Sequence, residues 1–257
     1  MTITSLRLLH RCCFLLTLAG LALPARAAEP EIIAKARAFL GGEAALAQVT
    51  SLRYTGMLVL DDAGDTANPQ GPVKVEIIFT RPSRQRSVIT AEKRVETTVL
   101  DGYEGWQKVQ DPSDNSRWQL SLLQADQIRS LRANVAENLT FFRNTGDPKC
   151  TVEDQGAVMV DGIACRKIAF IYTPQIVFYR FFDTASGRLV MTETAQGETI
   201  REQGEIVAGG VRFPRTLVTT LKRPDGGAQR ITINFEQVTV NEAYPDSLFA
   251  MPSLGAP

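Results

Sequence analysis

The sequence predicts an α+β protein, one domain of roughly ten to twelve antiparallel strands with a few amphipathic helices laid against them. Three observations predict it. From Leu52 onward, short apolar-alternating segments follow one another at brief polar, glycine or proline turns, and such short connections join only antiparallel strands. One long segment, Gln124 to Phe142, breaks that period and repeats its apolar residues every three or four positions. No linker, low-complexity tract or fixed-period repeat divides the chain.

The elements follow in order. "EIIAKARAFLGG" places Ile32, Ile33, Ala36, Phe39 and Leu40 on one helical face, and Gly41-Gly42 ends it. "EAALAQV" is a second short helical piece. "SLRYTGMLVL" reads as the first strand. In "VKVEIIF", Val73, Val75, Ile77 and Phe79 share one face of the next. Strands are expected over Arg84–Ala91, Arg94–Leu100 and Gly105–Gln110, the last two joined by a tight turn at Asp101-Gly102. In the long helix Ile128, Leu131, Val135, Leu139 and Phe142 form one stripe, about five turns long, with a sheet to cover. Strands resume in "AVMVDGIACRKIAFIY", a hairpin about Asp161-Gly162. "IVFYRFFD" and "RLVMTET" follow, and Thr199 to Val240 supplies three more.

The ends and the composition exclude several classes of function. Arg7 and Arg11, the apolar run Cys12–Leu23 and the small residues of Ala25-Arg26-Ala27 have the order of a secretory signal peptide. It would be cleaved near Ala27 to release residues 28–257 as an exported, periplasmic domain. The whole chain carries 28 Lys+Arg and 28 Asp+Glu. Cleavage would remove Arg7, Arg11, Arg26 and no acid, leaving 25 bases against 28 acids and a net charge near −3. No basic stripe marks a nucleic-acid partner. His10, the single histidine, would be lost as well, which excludes Ser-His-Asp and Cys-His nucleophile activation and histidine-based metal sites. No cofactor motif is present: the glycines match neither a phosphate loop nor a dinucleotide fold.

Two groups of residues could still carry chemistry. Asp61, Asp62, Asp111, Asp114, Glu193, Glu198 and Glu202 lie in or near expected turns, where solvated loop charge is the simplest role. Cys150 and Cys165 would be the two remaining cysteines, and an oxidising compartment favours a disulfide, worth ~3 kcal/mol in a loop-closure account. Against the bond, a turn at Asp161-Gly162 sets Cys165 opposite Val158, not Cys150. The alternative is a pair of buried thiols.

The apolar strand residues are the other signal. "IVFYRFF" is apolar on both faces, with Ile176, Phe178 and Phe182 on one and Val177, Tyr179 and Phe181 on the other. Such a strand is covered on both sides, or it lines a ligand cavity with one of them. Strand alternation and helix phase select Ile77, Phe79, Trp106, Leu131, Val135, Phe170, Phe178, Leu217, Ile233 and Phe235 as cavity candidates. Trp106, just after a hairpin, is expected to pack between sheet and helix.

Taken in order, several stretches resemble the LolA-like family of outer-membrane lipoprotein-sorting proteins. They are "FLGGEAALAQVTSLRYTG", "LDGYEGW", "VDGIACRKIAF", "RFFDTASGRLVMTET" and the closing "GVRFPRTLVTTLKRPDGGAQRITINFEQVTVNEAYPDSLFAMP". The resemblance runs from about Ala36 to Pro252. It implies a strongly curved sheet, an incomplete β-barrel, with helices plugging its open side. It also implies a monomeric carrier, not an enzyme, that holds lipoprotein acyl chains or related lipids and exchanges them with membrane donor and acceptor proteins. Two other classes stay open: an envelope sensor or scaffold of the same fold with an exposed apolar patch for a protein partner, and a carboxylate hydrolase with two acids converging in a cleft.

Overall fold

The protein was analysed as a computed structural model that describes residues 29–62, 73–223 and 226–253. The segment read as a signal peptide lies outside them. Helices α1 (Glu31–Leu40) and α2 (Glu43–Ala47) lead into β1 (Ser51–Asp62), β2 (Val73–Thr80), β3 (Arg84–Ala91), β4 (Arg94–Asp101), β5 (Glu104–Asp111) and β6 (Asp114–Leu122). Helix α3 (Ala125–Thr140) follows, then β7 (Thr151–Val160), β8 (Ile163–Thr173), β9 (Ile176–Asp183), β10 (Leu189–Thr194), β11 (Thr199–Ala208), β12 (Val211–Lys222) and β13 (Ala228–Val240).

The described strands form one antiparallel sheet in the order β6-β5-β4-β3-β2-β1-β13-β12-β11-β10-β9-β8-β7. Two meanders are thus joined where the first strand meets the last, from Leu52 opposite Val240 to Asp62 opposite Gln229, with a bulge at Thr55/Gly56. Strands β6 and β7 remain edges, so the sheet is open. It is also curled. Asn134 of α3 donates to Gln85 of β3 at 3.1 Å, and Glu137, one turn on, pairs with Arg180 of β9. Seven strand spacings of about 4.8 Å would hold β3 and β9 about 34 Å apart in a flat sheet, about three times the width of a helix. The sheet therefore wraps around α3.

Thirteen strands exceed the expected ten to twelve, and β6 accounts for the difference. Its sequence, DNSRWQLSL, lacks apolar alternation because it is an edge with little to bury: Trp118 is 43% and Leu122 64% exposed. Strand β7 also starts at Thr151, earlier than its apolar residues suggest, and carries a bulge between Asp154 and Gly156.

Helix α1 is seated by close backbone approach. A Cβ on Gly187, in the β9–β10 turn, would stand 2.7 Å from the Lys35 carbonyl oxygen, and one on Gly41 would stand 2.3 Å from that of Gly210. Both glycines also hold positive φ, so no other residue fits either place without displacement.

The expected disulfide is absent. Cys150 and Cys165 are both buried free thiols. Cys165 sits opposite Val158 across the β7–β8 hairpin and packs with Val160, Phe181 and Val190. Cys150 packs with Phe142, Phe170 and Phe182 in a separate cluster. Residues 165 and 170 differ in parity along β8, so the two sulfurs lie on opposite faces of the sheet. Burial pushes the Cys150 thiol up to about 11 and raises that of Cys165 as well. A chain of residues 28–257 prepared without reductant is therefore expected to release two titratable thiols per molecule in denaturant and almost none while folded. A count of zero in denaturant would establish the bond.

Candidate functional site

The inner face of the sheet, covered by α3 and α1, carries seven of the ten cavity candidates, and two more, Leu131 and Val135, pack onto it from α3. Ile77, Phe79, Leu131, Val135, Leu217, Ile233 and Phe235 belong to one cluster, with Leu52, Tyr54, Leu100 and Phe213. Phe170 and Phe178 belong to a second, with Ile33, Ile168, Phe182 and Leu189. Leu40 touches both, so the clusters are two parts of one apolar lining. The rings interlock: Tyr54 meets Phe79 and Phe213 edge-on with centroids 6.3 and 5.9 Å apart, and lies 4.8 Å from Phe235. The inner face is filled by the protein's own side chains, with α3 plugging the first part and α1 covering the second.

The tenth candidate, Trp106, lies on the outer face. Leu100 takes the inner position on β4, so its neighbour Val99, and Trp106 paired with Val99 on β5, point outward. There Trp106 packs with Ile78, Val99 and Phe249 and donates its indole N–H to the Phe249 carbonyl at 3.1 Å. The expectation that it packs between sheet and helix is corrected: the C-terminal segment covers it. Trp106 also borders a cavity of about 540 Å³ at the rim of the sheet, with Tyr103, Leu122, Leu123, Ile128 and Met251. That volume lies within the range of ligand pockets.

The ends of α3 show how the plug is held. At its start, the Gln124 and Gln127 side chains cap each other's backbone N–H groups. At its end, Phe141 and Phe142 adopt positive φ, 50° and 71°, a backbone state costing about 1–3 kcal/mol for each residue. The reversal sends Phe141 into the first cluster and Phe142 into the second. Phe142 therefore does not extend the helical stripe of Ile128 to Leu139, as its spacing suggested. The helix has no glycine cap, and two arginines take its last carbonyls instead. Arg37 of α1 donates to Thr140 and Phe141 at 2.9 and 2.5 Å, and Arg81 of the β2–β3 turn donates to Leu139 at 2.5 Å. Cations at a helix C-terminus satisfy orphan acceptors and oppose its dipole. Arg37 is itself fixed by a two-pronged bond to Glu43, at 2.5 and 2.7 Å.

Mid-helix, Glu137 forms an ion pair with Arg180 of β9, the side chains 5% and 11% exposed. Tyr172 donates to the same carboxylate at 2.7 Å, and the Arg180 guanidinium lies over the rings of Phe142 and Phe170, 4.7 and 5.4 Å from their centroids. Nothing in the periodicity of IVFYRFFD revealed this, because Arg180 takes an inner position between Phe178 and Phe182.

Glu202 was read as solvated turn charge. It stands instead on β11, opposite the inner-face residue Leu217, and burial raises its carboxyl above the usual range. Among the described residues no group of histidine, cysteine and carboxylates is placed to hold a metal ion, and no helix is long and apolar enough to cross a membrane.

No protein-family model matches the chain, and no characterised protein matches its sequence. Solved structures do match its fold. A LolA superfamily protein from Nitrosomonas europaea aligns with a TM-score of 0.55 at 12% identity, over 86% of this chain and 96% of that one. A DUF1329 family protein from Desulfovibrio piger gives 0.54 at 10% identity, over 86% and 96%. A domain classed with outer membrane lipoprotein-sorting proteins, from Vibrio parahaemolyticus, gives 0.54 at 11%, over 85% and 94%. The chain thus has the LolA-like fold.

Removal of Glu137 tests the plug's polar anchor. Glu137→Ala leaves Arg180 without its counter-ion in an apolar setting, and a loss of about 3–5 kcal/mol is expected from such a deletion. Glu137→Gln retains an acceptor for Tyr172 and is expected to lose less. Chemical denaturation of both variants measures the order.

Proposed function

We propose that this protein is a periplasmic carrier that holds lipoprotein acyl chains, or the tails of related lipids, against the inner face of its sheet for sorting to the outer membrane. It acts by binding and not by catalysis. The observation that carries the reading is the way the inner face is closed: a continuous apolar lining is covered by helices, α3 over one part and α1 over the other, and not by a second sheet. A sandwich would bury the same surface permanently. Here the cover over Phe79, Tyr54 and Phe235 is α3, held at its end by two arginines and along its length by the Glu137–Arg180 pair, the Tyr172 hydroxyl and a 3.1 Å bond from Asn134 to Gln85 of β3.

Energetics support exchange of plug for cargo. Each methylene withdrawn from water is worth about 0.8 kcal/mol. Some twelve buried methylenes would thus supply about 10 kcal/mol. The tails would replace apolar contacts like for like, and no catalytic group is required.

The expected result for protein purified from periplasm without detergent is co-purified acyl lipid or lipidated peptide near one per chain, detected by organic extraction and mass spectrometry. Phe178→Asp and Ile233→Asp place a charge at half-buried inner positions and should empty the protein. Leu122→Asp, in the rim cavity beside Trp106, should leave the load intact. Loss of load with Leu122→Asp alone would move the site to the rim. A folded protein that is empty in every preparation would favour the sensor reading, for which the exposed Tyr103, Leu122 and Met251 around that cavity offer a docking patch.

A further inference from the structure

The sheet has a seam. Strands β10 and β11 are adjacent, yet they pair at only two positions, Thr192 with Ile200 and Glu193 with Thr199. Strand β11 pairs with β12 along nearly its whole length, and β10 with β9. Beyond the two shared positions β10 and β11 diverge, and the gap is a cleft of about 150 Å³. Liquid water would fill it with about five molecules, so it suits a small polar group and not an acyl tail.

The lining joins two kinds of surface. Leu40, Leu189 and Phe213 belong to the inner apolar clusters, so the cleft opens directly onto the proposed tail site. Its polar members are Arg188, Glu202, Glu205 and Arg212. Arg212 pairs with Glu205 at 3.0 Å and stacks its guanidinium 5.2 Å from the Phe39 ring centroid. Arg188 and Glu202 differ: among the described residues neither side chain makes a hydrogen bond or a close ion pair, although Arg180 and Arg188 lie near enough to oppose the burial of the Glu202 carboxyl and Arg188 also acts on Asp183. A half-buried carboxylate next to an apolar lining, whose nearby cations do not bond it directly, is costly to maintain without a hydrogen-bonding partner. The raised carboxyl of Glu202 reports the same cost.

An occupant that bonds both groups directly brings a donor cation for Glu202 and an anion for Arg188 in a group a few atoms long, attached to apolar tails. We propose that the seam seats the headgroup of a diacyl lipid bearing both a phosphate and an ammonium, the phosphate toward Arg188 and Arg212 and the ammonium toward Glu202. The chemistry is that of phosphoethanolamine. The assignment rests on the carrier reading and adds to it a choice among lipids: headgroups with phosphate alone leave Glu202 unsatisfied, and they also bring negative charge toward it.

The test compares three probes on the chain of residues 28–257 by calorimetry or native mass spectrometry. They are dihexanoyl phosphatidylethanolamine, dihexanoyl phosphatidylglycerol with the same tails, and glycerophosphoethanolamine with none. The ethanolamine lipid is expected to bind about tenfold more tightly than the glycerol lipid, the order of one charged hydrogen bond. Glu202→Gln should erase that preference without weakening the glycerol lipid, while Arg188→Gln should weaken both; melting curves confirm that each variant is folded. Equal binding of the two lipids, unchanged in both variants, would overturn the headgroup site and leave the carrier reading intact. Binding of neither lipid would overturn the carrier reading as well. Binding of the tailless probe as tightly as the ethanolamine lipid would make the seam a site for a free small molecule and overturn the lipid assignment.

Discussion

An open sheet with one apolar face has to be covered, and the structure depends on how that cover is fastened. Helix α3 buries Val135, Leu139 and their neighbours against the curled inner face. Its position along the sheet is set where its C-terminal carbonyls meet Arg37 and Arg81. Those two arginines tie the plug to α1 and to the β2–β3 turn, elements on either side of it. Without them, the Leu139 and Phe141 carbonyls at a buried helix end would lack these donors, at a cost of about 1–3 kcal/mol each, while Thr140 would keep the Arg143 N–H. The left-handed pair Phe141-Phe142 then delivers one ring to each apolar cluster, so the helix end also joins the two halves of the lining.

The polar contacts and the apolar ones do different work. A buried ion pair such as Glu137–Arg180 contributes little net stability over an apolar substitute, because desolvation offsets the attraction. Its effect is on placement: only one rotation of α3 sets Glu137 against both Arg180 and Tyr172. The free energy of closure comes from the apolar contacts, which a hydrocarbon chain can reproduce. Helix α1, by contrast, packs backbone to backbone at Gly41 and Gly187, a contact no ligand can replace. The expected consequence is a rigid wall and a replaceable plug within one inner face.

Much of this was legible in the sequence. Strand alternation placed seven lining candidates on the correct face, because a strand with one buried face must alternate, and helix phase turned Leu131 and Val135 toward it. The failures have specific physical origins. Strand β6 is an edge that buries little, so its residues carry no alternation to detect. Trp106 was assigned by its size and its nearness to a turn, but parity from Leu100 and Val99 decides its face, and the C-terminal segment that covers it is distant in sequence. The cysteines needed a register and a face as well as a compartment. Glu137, Arg180 and Glu202 have the composition of surface charge, and only the curl of the sheet brings them inward. The splitting of β10 from β11 leaves no mark on either strand's sequence.

The central claim, that α3 is the exchangeable part of the inner face, is tested most directly by amide hydrogen exchange of the chain with and without a palmitoylated peptide. On loading, the amides of Ala125–Thr140 should lose protection while those of β1, β2 and β13 keep theirs. Unchanged or increased protection of α3 with the peptide bound would contradict the account, because the acyl chain would then lie elsewhere than beneath the helix.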